Sequence, residues 1–327
     1  MKRLAPILRI AVSVALVVWV LRRADLAEVG EAFRSADVAM VLLALALTPL
    51  GYLFSVSRWR LLLRAQGVDL PFSTLLRSFS AGIFFNNLLP STIGGDAVRA
   101  WDSSRAAGKT KAITVVLVDR FLGLLTLMLF AAVGVLISPR LTGRVPALYL
   151  WVVAGTAGLA LTAWLLFGPS AVTSRALGLL GSRLPERWRS RLEQATGALL
   201  AFRSQPGVLL QALALSAGLQ ASVVGNGYFL SRALHVDIPL PYFFLIVPLV
   251  VFVMMVPISI NAIGVRENAW AFFFTAFGVA NAAAAGVAVA WLDYGLVLLQ
   301  AIAGGIVWAW GRRPHPLAPA PVEEGAG

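Results

Sequence analysis

No cysteine occurs among the 327 residues, which excludes disulfides and thiolate chemistry and leaves the redox compartment undetermined. Histidine is nearly as scarce, with only His235 and His315. There is no HExxH pair, no Walker A glycine loop and no G-x-S-x-G elbow, so three familiar hydrolytic chemistries have no residues to run on. Ser231-Arg232 followed by His235 has the residue types of a lipid-phosphatase fragment, but at too short a spacing and without its other pieces. No metal-ligand cluster or cofactor motif stands out, and none is expected. Charge is the last scarcity: 13% of residues are Asp, Glu, Lys or Arg, against about 25% in soluble domains.

What fills the chain instead is apolar. Hydrophobic residues make up 59% and the mean hydropathy is +0.83, more than one aqueous core can hide. Apolar runs at 7–21, 38–54, 112–137, 148–167, 209–230, 242–256 and 283–308 approach or reach the roughly 20 residues that cross a bilayer. Two further stretches, 72–93 and 269–280, are hydrophobic but interrupted, each beside a Pro/Gly/Asn cluster. The pattern predicts an all-α, polytopic transmembrane helix bundle with about seven or eight spans and two broken or re-entrant segments. It divides into a membrane domain over 1–313 and a Pro/Ala/Gly-rich disordered tail over 314–327. The N-terminus imitates a signal peptide, with Lys2, Arg3 and Arg9 before an apolar run. Arg22 and Arg23 follow that run where a small-residue cleavage site belongs, so it is read as a retained first helix.

The net charge of +12 comes from 27 basic and 15 acidic residues. The basic residues sit in short connections between apolar runs, where orientation signals and anionic-lipid contacts belong, so nucleic acid is not an expected partner. Arg58, Arg60, Arg64, Arg99, Arg105, Lys109 and Lys111 follow the second run, six arginines from Arg175 to Arg203 fill the central connection, and Arg312 and Arg313 close the last. These fall on one side, predicted cytoplasmic together with both termini, in a plasma (inner) membrane. The segment 185–202, with Trp188, Leu192 and Leu199-Leu200 among its arginines, reads either as a helix on the membrane surface or as a solvated linker helix. Trp59, Trp101, Trp151, Trp308 and Trp310 lie near run ends and read as interfacial anchors.

The informative places are where the apolar pattern fails. The first break runs from Asn86 and Asn87 through Pro90, Gly94, Gly95 and Asp96 to Arg99; the second runs from Pro257 through Asn261 and Gly264 to Arg266 and Glu267. Proline and glycine interrupt helices. At membrane depth, irregular backbone survives only inside protein or along a watered cavity. One such break in each half of a chain is a sequence-level pointer to a transporter's substrate site. An arginine fork with neighbouring amides suits a phosphate head whose lipid tail stays in the bilayer. Asp96 beside Arg99, and Glu267 beside Arg266, read as the pairs that hold these arginines. Asp119-Arg120 at the start of the third long run suggests an interior network with Arg99, or else a bland interfacial pair. Asp293, alone within the last run, calls for a basic partner and is also placed to carry a proton. The other readings are ordinary turns with surface ion pairs, a membrane-embedded transferase using Asp96 or Glu267 as base, and a scaffold of an envelope-lipid or glycan pathway.

Asn87-Leu88-Leu89-Pro90 with Gly94-Gly95-Asp96 and Arg99, then Asp119-Arg120, then Pro257 and Asn261-Ala262-Ile263-Gly264-Val265-Arg266-Glu267 resemble the hallmark motifs of the lysylphosphatidylglycerol synthase transmembrane-region family. Its members are also called flippase-like or UPF0104 proteins. The resemblance covers roughly residues 5–310. It implies a stand-alone flippase-like module without aminoacyl transfer, since a separate soluble domain makes the lipid in the fused relatives and the chain stops soon after its last span. It also implies membrane lipids as partners, phosphate-bearing ones above all, with a second copy or an envelope-synthesis protein as further partners. One departure is Ala262, where relatives often carry glycine, which stiffens the second break.

Overall fold

A computed structural model describes residues 4–88, 94–137, 146–167, 200–256 and 258–310. Every regular element among the described residues is helical. In order these are α1 (Leu4–Leu21), α2 (Leu26–Arg34), α3 (Val38–Ala65), α4 (Phe72–Leu88), α5 (Gly94–Ala107), α6 (Lys109–Ile137), α7 (Pro146–Phe167), α8 (Pro206–Ala233), α9 (Leu240–Met255), a 3-10 turn (Ile260–Ala262), α10 (Val265–Ala276) and α11 (Ala282–Trp310). Helices α3, α6, α7, α8 and α11 are long and apolar enough to cross a bilayer, and α1 and α9 are shorter apolar helices. That makes a polytopic membrane bundle, and seven apolar helices agree with the expected seven or eight crossings.

Local chemistry sets several boundaries. The Asp25 carboxylate accepts the Ala27 N–H at 2.8 Å and so caps α2, and Asp37 caps α3 by accepting from Ala39 and Met40. Gly108, at φ +77°, lets the chain turn between α5 and α6 without strain.

Helices α3 and α8 lie against each other and run in opposite directions. At one end the Asp37 N–H donates to the Ala233 carbonyl; at the other Gln205 Nε2 donates to the Ala65 carbonyl at 3.1 Å. Small residues set the approach: Gly51 faces Leu219 and Ser222, Gly218 faces the Phe54 ring and Gly225 faces Leu47. With no hydrophobic drive between helices in lipid, close packing of this kind is what holds them together.

Lys111 Nζ donates to the Gln66 carbonyl, which brings the start of α6 to the end where α3 finishes and α8 begins. The basic connections of the first half therefore share one end of the bundle. The opposite end gathers Ser35, His235 and the turn after α10, with the His235 ring against the Ser35 carbonyl. Two apolar cores lie between: one around Phe243, Trp270 and Phe274, the other around Trp59, Leu62, Leu75 and Phe202. Helix α7 packs on α6 through Gly155 against Met128 and turns Leu150, Trp151 and Leu161 outward. Apart from its last residues, the segment expected as a surface helix at 185–202 lies outside the described residues, as do Pro90, Pro257 and the tail from 314.

Candidate functional site

The first break separates α4 from α5, which fold back on each other. Asn86 Oδ1 accepts the Gly95 N–H at 2.6 Å, and a Cβ at Gly95 would sit 2.7 Å from the Gly82 carbonyl oxygen. Only glycine allows that approach. Asn87 Nδ2 returns to the Ile83 carbonyl at 2.9 Å. The Asn86 amide therefore ties the hairpin together, while Asn87 bonds back within α4.

The hairpin delivers Asp96 and Arg99 to a buried ionic network. Arg99 Nη2 donates to Asp119 Oδ2 at 2.9 Å, and Arg58 Nε donates to Asp119 Oδ1 at 2.6 Å. Arg58 Nη1 also donates to Ser216 Oγ at 2.6 Å, which ties α3, α5, α6 and α8 through one carboxylate. Asp96 lies 3.6 Å from Arg99 Nη1 and binds Arg120 from its other oxygen. Asp119 is 1% exposed; two guanidinium forks satisfy it, which is what a buried carboxylate needs. The Arg99 guanidinium stacks 4.5 Å from the Trp59 ring and lies 5.5 Å from Phe79. Arg58 and Trp59, read from sequence as a loop cation and an interfacial anchor, are both interior. Arg58 shares a helical face with Ser55 and Leu62, so a cation on a buried face was the signal that marked it.

The second break lies between α9 and α10. Its backbone turns through two successive left-handed residues, Asn261 (φ +49°) and Ala262 (φ +57°), before Gly264 (φ +83°). Ala262 thus carries strain that glycine would not, a stronger consequence than the stiffening expected there. Glu267 does not pair with Arg266. Its carboxylate accepts the Gly264 N–H at 2.7 Å and caps α10, while Arg266 reaches Asp293 of α11 at 3.7 Å. Adjacent helical residues point about 100° apart, so neither Arg266-Glu267 nor Asp119-Arg120 faces itself. The Arg266 guanidinium lies 4.9 Å over the Tyr294 ring. Helix α1 braces this break: Ser13 Oγ accepts the Ile260 N–H at 2.9 Å, and Asn268 Nδ2 donates to the Leu16 carbonyl at 3.1 Å. A Cβ at Gly264 would meet the Leu16 side chain at 2.5 Å.

The two breaks touch. Asn261 Nδ2 donates to the Asn87 carbonyl at 3.1 Å, across 174 residues of chain. Tyr52 lies between the two ionic clusters: its ring packs edge-on against Phe79, and it is within electrostatic range of Asp293. Beside Tyr52, a groove of about 740 Å3 opens between α3, α4 and α11, lined by Leu45, Pro49, Leu76, Arg77 and Gln300 among others. Both arginines of the breaks share one property. Arg99 and Arg266 are 6% and 7% exposed, yet the Nε–H of each has no acceptor among the described residues. A buried donor left unmade costs about 1–3 kcal/mol, more when it is charged. Sequence reasoning found both arginines, Asp119 and Asp293, but not the partners Arg58, Ser216, Tyr52 and Tyr294.

A bundle of apolar helices with one irregular break in each half, and an arginine set at each, is the architecture of a polytopic membrane protein with an interior polar site. Its family follows from sequence comparison: residues 7–303 match the lysylphosphatidylglycerol synthase TM region, and the chain belongs to that family. It is similar to a UPF0104 membrane protein of Methanothermobacter thermautotrophicus, 25% identical over 80% of this chain and 82% of the relative. A UPF0104 membrane protein of Pyrococcus horikoshii is 27% identical over 42% of each chain.

Proposed function

We propose that the protein moves a phosphate-bearing amphipathic lipid, of phospholipid or polyprenyl-phosphate type, between the leaflets of a plasma (inner) membrane. The basic end of the bundle and both termini would face the cytoplasm, following the Lys/Arg bias. The observation that carries the reading is the pair of buried arginines whose Nε–H groups have no acceptor among the described residues. Each guanidinium is already neutralised on one side by an aspartate, so a phosphate oxygen would complete its hydrogen bonds at little further desolvation. Arg99 and Arg266 bind the phosphate; Asp119, Asp96 and Asp293 hold or release them; the Asn86, Asn87 and Asn261 amides, with Gly94, Gly95 and Gly264, shape the crevice. The groove supplies the apolar half of an amphipathic ligand's needs, a run of aliphatic wall that also carries Tyr52, Arg77 and Gln300.

Native mass spectrometry of the gently purified protein tests this. A phosphate-bearing lipid should be retained, and its occupancy should fall about tenfold or more in Arg99→Leu and in Arg266→Leu, consistent with loss of a charge-assisted pair of about 1.5–3 kcal/mol. Retention of bulk lipid alone, unchanged in both folded variants, would count against it.

A further inference from the structure

The two halves repeat one another. Helices α3 and α8 are each 28 residues, α4 and α9 are 17 and 16, α5 and α10 are 14 and 12, and α6 and α11 are each 29. Both series run long span, shorter helix, break, shorter helix, long span. The contacts repeat as well. Arg58 donates to Ser216 across the α3–α8 interface, and Asn226 donates back to Thr48 at 3.2 Å. Counted from Val38 and Pro206, Arg58 and Asn226 are both the twenty-first residue of their helix, and Thr48 and Ser216 both the eleventh. One operation that exchanges α3 with α8 maps one bond onto the other. The same operation carries the α4–α11 contact, where Gly304 meets the Ser80 backbone, onto α9–α6, where Gly134 meets the Leu245 backbone. Because α3 and α8 are antiparallel, the operation also exchanges the two ends of the bundle.

Under that exchange the ionic sites correspond. Arg99 reaches Asp119, the eleventh residue of α6, and lies over Trp59. Arg266 reaches Asp293, the twelfth residue of α11; its ring wall does not correspond, since Tyr294 stands on α11 whereas Trp59 stands on α3, the counterpart of α8. Each arginine has an Nε–H without an acceptor among the described residues. The match is inexact, since Arg99 is the sixth residue of α5 and Arg266 the second of α10, but each still finds the aspartate at the same depth of the following span.

We propose that the chain is an inverted repeat and that these are two half-sites for one lipid phosphate, approached from opposite ends of the bundle and occupied in turn. This rests on the lipid reading above and adds its geometry. An operation that swaps the ends gives one half-site from the first end whatever access the other has from the second, and the touching breaks at Asn87 and Asn261 are where the phosphate passes between them.

The chain's lack of cysteine makes the test direct. Val98→Cys and Ala269→Cys each place one thiol beside a half-site on a partly buried residue outside the ionic clusters. In right-side-out and inside-out membrane vesicles, a membrane-impermeant maleimide should label the two thiols with several-fold preferences for opposite faces. Enriching the membrane in phosphatidylglycerol should shift the two in opposite senses. If a phosphate lipid is retained in mass spectra and lost in Arg99→Leu, yet both thiols react from one face, the paired half-sites are overturned and the lipid site stands. Opposite-face labelling with no phosphate lipid retained by the protein would remove the ligand and leave only the symmetry of the fold, which overturns the proposal by the other route.

Discussion

The two breaks hold their arginines with unequal firmness. At the first, one aspartate is gripped by two guanidinium groups at 2.6 and 2.9 Å, and Arg58, the one on α3, reaches on to Ser216 of α8. At the second, Asp293 meets a single guanidinium at 3.7 Å, and its side chain is 29% exposed. The first cluster is a brace, because removing any member strands a buried charge. The second stands closer to solvent and gives up less on opening. Under the proposed alternation one half keeps the bundle together while the other yields, and the asymmetry would give the holding role to the Asp119 cluster.

Substitutions sharpen that contrast. Asp119→Leu should have the largest effect, lowering stability by about 3–5 kcal/mol, since it leaves Arg58 and Arg99 buried without their shared counter-ion. Thermal unfolding in detergent, followed by helical circular dichroism, measures it. Gly264→Ala comes next, at about 1–3 kcal/mol, because alanine there must adopt φ +83° and its methyl would meet Leu16. Its signature is faster proteolysis of α1 at a lower temperature than the rest of the chain. Asp293→Leu should cost only about 1–2 kcal/mol, given its longer and partly exposed pair; a loss equal to that of Asp119→Leu would erase the proposed difference between the halves. Asn261→Ala removes the hydrogen bond from Asn261 to the Asn87 carbonyl and should shift stability by about 1 kcal/mol, while impairing lipid transfer more than it impairs folding.

Much of this was legible before any coordinates. The spans followed from apolar runs because backbone in lipid must satisfy itself, and only helices of about 20 residues do so over that thickness. The breaks followed from Pro, Gly and Asn in apolar context, and Asp293 called for the cation that it finds in Arg266. What stayed hidden was pairing across helices. Arg266 and Glu267 look like a pair because they are neighbours in sequence, but the helix turns them apart: Glu267 serves its own backbone and Arg266 crosses to α11. Arg58 was counted with loop cations because charge patterning alone does not tell which face of a helix is buried. Trp59, near a span end, matched an interfacial anchor in sequence; the Arg99 side chain above it makes it an interior wall. The sequence offered two breaks, one in each half, and the proposed inverted repeat rests instead on the antiparallel α3–α8 contact.

The central claim is that Arg99 and Arg266 serve a moving phosphate. Transfer of a fluorescently tagged anionic phospholipid between leaflets should be measured in vesicles reconstituted with the native chain, Arg99→Leu and Arg266→Leu. The native chain should speed transfer over protein-free vesicles without altering the lipid's mass, and each substitution should return the rate to the protein-free level in protein that still shows full helicity. A native rate no faster than protein-free vesicles, or one that both leucine variants retain, would contradict the account.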